Sequence, residues 1–133
     1  MLGDLIGEFH GKTTGLRVLD AEGLKTESSA TETGKVLGHG TNLNYTFQGS
    51  LQADGTISGE GRGFLMTDDG ELVTWRGSGV GKFTGPGGAT SWRGAVYFQT
   101  NSKKLSRLNA TVGVYEYEID ASQNSHGKFW EWK

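Results

Sequence analysis

From about residue 41 to the C-terminus, apolar and polar residues alternate with a period of two. This is the spacing of strands that bury one face. In the first clear run Leu43, Tyr45, Phe47 and Leu51 share a face, and Asn42, Asn44, Thr46, Gln48 and Ser50 share the other. Asp54-Gly55 follows, then runs over Thr56–Thr67, Glu71–Phe83 and Thr90–Thr100, punctuated by Asp69-Gly70 and Gly85-Pro86-Gly87-Gly88. Asp-Gly suits a two-residue hairpin turn, because both residues tolerate positive φ. After the polar connection Asn101–Asn109 come Ala110–Asp120, a turn at Ala121-Ser122-Gln123-Asn124, and a last strand ending at Trp132. Upstream, Glu8–Leu19 and Leu24–Val36 supply two more strands, the second Thr- and Ser-rich with a solvated outer face. Leu2, Leu5, Ile6 and Phe9 have helical spacing interrupted by Gly3 and Gly7, which predicts only a short N-terminal turn. The pattern predicts a single all-β domain over residues 1–133, an eight-stranded antiparallel up-and-down β-barrel.

The turns predict which side chains face inward. Two-residue loops at Asp54-Gly55 and Asp69-Gly70, with a loop centred on Pro86-Gly87, place Tyr45, Phe47, Phe64, Met66, Val73, Trp75, Phe83, Trp92, Val96 and Phe98 on the core face. In the same register Glu60 and Arg62 also point inward, opposite Gly49, Gly77 and Gly79. Two long polar side chains facing glycines read either as a buried ion pair or as a pair turned toward a ligand. Desolvation offsets the Coulomb gain of a buried pair. Function is therefore a fair reason for Glu60 and Arg62, and Glu60 is the candidate acid/base group.

Composition narrows the chemistry. The chain has no cysteine, which excludes disulfides and thiolate sites and fits a reducing, cytoplasmic setting. A net charge of −2 with no basic run argues against nucleic-acid binding. The longest apolar runs are too short for a membrane helix, and no secretory signal pattern opens the chain. No phosphate loop, dinucleotide fingerprint or nucleophile elbow is present, so no cofactor is expected. His10, His39 and His126 are scattered and predict no metal site, and His39, between two glycines, reads as a turn residue. The 23 glycines sit among strands rather than in a linker, and several fall inward. They either let the sheet coil tightly or leave room for a guest.

The stretch Gly77-Ser78-Gly79-Val80-Gly81-Lys82-Phe83, followed by Trp92-Arg93-Gly94-Ala95-Val96-Tyr97-Phe98, resembles a strand pair of allene oxide cyclase-like and dirigent-like barrels, including small uncharacterised bacterial proteins. The resemblance implies a calycin-like barrel that allows a homo-oligomer, with an interior suited to a small, largely apolar molecule. No catalytic residue carries over from it. The expected ligand-binding residues are Glu60, Arg62, Tyr45, Trp75, Trp92 and Phe98. Two alternatives stand beside binding: an isomerase or cyclase acting on a hydrophobic substrate, and a non-catalytic structural or assembly module.

Overall fold

The computed structural model describes residues 2–133. Eight strands follow one another: β1 (Leu2–Asp20), β2 (Lys25–Val36), β3 (His39–Leu51), β4 (Ile57–Thr67), β5 (Leu72–Phe83), β6 (Thr90–Thr100), β7 (Val112–Ile119) and β8 (Asn124–Trp132). Each pairs antiparallel with the next, and β1 pairs with β8 to close the ring. The predicted up-and-down barrel is the observed fold. The β1–β8 ladder closes the ring from Leu2 to Lys12, and beyond it the end of β1 up to Asp20 pairs with β2 alone.

The N-terminal segment differs from expectation. Residues from Leu2 onward extend β1 along β8, with register shifts between Leu2 and Leu5 and between Leu5 and Gly7. Those bulges put Ile6 and Phe9 into the core together, which explains a helix-like spacing inside a strand. His39 also differs, since it opens β3 opposite Val36, and the tight turn lies at Leu37-Gly38.

Three hairpins share one geometry. Gln52 N–H donates to Thr56 O and Gly55 N–H to Gln52 O, enclosing Ala53-Asp54-Gly55. Thr67 with Glu71 encloses Asp68-Asp69-Gly70 in the same way, and Asp120 with Asn124 encloses Ala121-Ser122-Gln123. The third loop residue is left-handed each time, with φ of +89° at Gly55, +89° at Gly70 and +66° at Gln123.

A three-residue loop changes the parity of the following strand relative to a two-residue one. β4 lies between two such loops and is therefore flipped against expectation, while β3, β5 and β6 keep their predicted faces. Leu65 is core at 1% exposure, and Phe64 and Met66 face outward. Glu60 pairs with Gln48 and Ser78, and Arg62 with Thr46 and Arg76. Both are exposed on the outer surface, so neither points into the barrel.

One end of the barrel is filled. Ile6, Phe9, Val36, Leu65 and Val73 pack there with Leu105 and Leu108, which the β6–β7 connection lowers into the opening. Asn109 fastens that plug by donating to Thr100 O at 2.9 Å and accepting from Thr100 N–H at 2.8 Å. The other end stays open. No helix among the described residues is long and apolar enough to cross a membrane.

Candidate binding cavity

Inward glycines form the aromatic lining. A Cβ on Gly59 or Gly61 would stand 2.4 or 2.7 Å from the Phe47 ring, and one on Gly127 only 2.1 Å from the Tyr117 ring. A Cβ on Gly81 would meet Trp92 at 2.7 Å. Each ring thus lies against the wall over a glycine of the neighbouring strand instead of reaching toward the barrel axis. Bare backbone is needed for that close approach. Tyr45 and Trp75 stand 5.6 Å apart, centroid to centroid, and Phe47 meets Trp92 edge-on at 4.8 Å.

The space so freed is a cavity of about 370 Å³. Its floor is the upper surface of the core, where Leu43, Leu65, Val96, Phe98 and Phe129 both line it and pack below. Leu16, Leu24, Leu51, Ile57, Phe83 and Ile119 ring its mouth. Of the residues expected to contact a ligand, Tyr45, Trp75, Trp92 and Phe98 line this cavity. Glu60 and Arg62 do not, for the register reason given above.

The buried carboxylate of the interior is Glu32, on β2, at 1% exposure. Tyr117 Oη donates to its Oε1 at 2.8 Å, and Tyr45 Oη (3.0 Å) and Ser125 Oγ (2.5 Å) donate to its Oε2. Burial raises the pKa of Glu32 above the ordinary value, while donation by Ser125, Tyr117 and Tyr45 pulls it back. Burial and the adjacent Glu32 charge push Tyr45 and Tyr117 well above a free phenol. Burial alone lifts Tyr115 to about 12. Tyr45 and Tyr117 line the cavity and Glu32 does not, so the two phenols separate the carboxylate from the open space.

Glu32 escapes a sequence reading because β2 looks solvated. The signal present is the inward set Ala30, Glu32, Gly34 and Val36, small or apolar except for one acid, alternating with Thr31, Thr33 and Lys35. Its hydroxyl partners come from β3, β7 and β8. Tyr117 was within reach of the sequence pattern, but the preceding connection hides its register.

His10 and His126 are cross-strand partners on the outer face, with His126 Nε2 at 2.8 Å from Glu8 Oε2. Among the described residues no group of three or more His, Cys, Asp and Glu side chains is arranged to hold a metal ion.

No protein-family model and no curated sequence matches this chain. Solved structures do match its fold. A protein of unknown function from Clostridium acetobutylicum superposes with a TM-score of 0.83 at 13% identity, over 96% of each chain. A beta-barrel like protein from Acinetobacter baumannii gives 0.81 at 16% identity, over 100% of this chain and 96% of that one. An enzyme from Penicillium herquei gives 0.64 at 18% identity, over 98% and 96%. The two bacterial neighbours agree with a resemblance to small uncharacterised bacterial barrels, and none of the three is described as an allene oxide cyclase or a dirigent protein.

Proposed function

We propose that the protein binds a small, largely apolar molecule inside the barrel. The observation that carries this reading is the aromatic-walled cavity of about 370 Å³, open at one end and plugged at the other. Pockets for small ligands are typically concave, mostly apolar and supplied with a few placed polar groups. Tyr45, Trp75, Trp92 and Phe98 would provide the contact area, and the Glu32 cluster the polar end. The outer wall supports a water-facing barrel: Glu60, Arg62, Arg76, Arg93 and Glu116 lie outside while apolar residues lie inside. Barrels that span membranes alternate the other way. Together with the cysteine-free composition this favours the cytoplasm.

Native mass spectrometry and calorimetric titration with a panel of apolar compounds test the reading. Saturable one-to-one binding is expected, and Ser28→Trp, which fills space on the cavity wall, should remove it without unfolding the barrel. Failure of the whole panel to bind would sink the proposal.

Isomerase or cyclase activity is the second reading, favoured by the buried acid behind two phenols and by the neighbour described as an enzyme. In it Glu32 takes the role expected of Glu60. A substrate proton would pass to a tyrosine oxygen as that tyrosine's own proton moves to Glu32. Glu32→Gln should abolish turnover while binding persists. A homo-oligomer, which the resemblance implies, would draw support from Phe64, Met66, Leu72 and Tyr97, all more than two-fifths exposed on the outer face. Light scattering decides it.

A further inference from the structure

The aromatic wall describes the body of a guest, and the tyrosine hydroxyls describe its polar group. Three tyrosines line the cavity, and every one of their hydroxyl protons is committed. Tyr45 and Tyr117 donate to Glu32 at 3.0 and 2.8 Å, and Tyr115 donates to Ser78 O at 3.1 Å. When ionised, Glu32 only accepts, and the tyrosines on it are then the donors. Each phenol then has lone pairs left and no proton to offer. Of the indole donors, Trp92 Nε1 is committed to Thr90 Oγ1 at 3.0 Å, and Trp75 Nε1 is buried without a hydrogen-bond partner. The hydroxyls of Thr26, Ser28 and Thr90 line the cavity elsewhere. At the Glu32 cluster, the phenol oxygens therefore accept hydrogen bonds and do not donate them.

We propose that the cavity selects apolar molecules that carry a hydroxyl donor, a phenol or an alcohol, whose O–H docks on the oxygen of Tyr45 or Tyr117. This rests on the binding reading above and adds a polarity to it. A guest of the same shape ending in a carbonyl or ether oxygen brings lone pairs against lone pairs. Sites built to hydrogen-bond one group reject analogues that leave it unpaired. The glycine beneath Tyr117 and the three-donor clasp on Glu32 hold this polarity in place, since Tyr117 cannot swing its hydroxyl free without colliding with the wall or abandoning the carboxylate.

Calorimetric titration with 2-naphthol, 2-methoxynaphthalene and naphthalene at neutral pH tests the proposal. The expected result is that 2-naphthol binds about tenfold or more tightly than 2-methoxynaphthalene. In Glu32→Gln that ratio should fall toward one, because the introduced amide can donate to the phenols and free their protons for the cavity. Naphthalene should bind both proteins alike. Tyr45→Phe with Tyr117→Phe removes the acceptors by another route and should also level the ratio, so the test survives if Glu32→Gln folds poorly. Equal affinity of the folded wild-type protein for 2-naphthol and 2-methoxynaphthalene would overturn the phenol acceptor site while leaving apolar binding intact. Failure of all three probes to bind would overturn the binding reading, and this one with it.

Discussion

Gly127→Ala probes the packing that opens the cavity. The new methyl would stand 2.1–2.3 Å from three atoms of the Tyr117 ring. The ring cannot simply rotate away, because its hydroxyl is held by Glu32 at 2.8 Å. Overpacking of this kind costs about 1–3 kcal/mol. Loss of a hydrogen bond to a charged group adds roughly 1.5–3 kcal/mol if the ring moves. Against this, alanine in a strand regains about 0.5–1 kcal/mol relative to glycine. A net loss of about 3 kcal/mol is expected, a drop of about 12 °C in Tm for a domain of this size. Urea unfolding and calorimetry measure it. Gly15→Ala is the control, since a Cβ there meets nothing within 4 Å, and it should leave stability unchanged or slightly raised. Adding Gly127→Ala to Tyr117→Ala should cost little, giving a coupling of about 3 kcal/mol. Gly127→Ala as stable as the wild type, or strictly additive with Tyr117→Ala, would refute the idea that glycines hold the rings against the wall.

Three further outcomes are expected. Gln123→Gly, at φ +66°, should raise stability by about 1 kcal/mol in thermal unfolding, because a side chain in the left-handed region is strained. The raised pKa of Glu32 fixes a sign: between the ordinary glutamate value and its folded value, the folded state holds a proton that the unfolded chain lacks. Wild-type stability relative to Glu32→Gln should therefore rise as pH is lowered toward the ordinary glutamate value of 4.5, measured by urea unfolding. A flat or falling difference would contradict it. Asp69 acts oppositely and lower on the scale: hydrogen bonding from Lys104 and Thr67 holds it at about 2, so its contribution is lost only as pH falls toward that value.

The barrel was legible because strand periodicity and hairpin spacing are local. Tyr45 precedes both three-residue loops around β4, and Trp75, Trp92 and Phe98 kept their predicted side since those loops cancel by the time β5 begins. Glu60 and Arg62 lie between those loops, where one uncounted residue per turn reverses the face. Asp-Gly fits either loop length; what decides is whether glycine is the second turn residue or the left-handed third, and the dipeptide alone does not say. Glu32 was hidden for a different reason. Its burial depends on Tyr45, Tyr117 and Ser125, up to 93 residues away in sequence, all arriving over one strand. The choice between coiling and room for a guest also dissolves in the structure: glycines admit flat-lying rings, and flat-lying rings leave the space.

The most direct test of an interior binding site is a crystal structure of the protein soaked with 2-bromonaphthalene, read by anomalous scattering from bromine. A bromine peak inside the barrel, between Tyr45, Trp75 and Trp92, is the predicted result. An interior empty of bromine, with peaks only on the outer face around Phe64 and Tyr97, would contradict it.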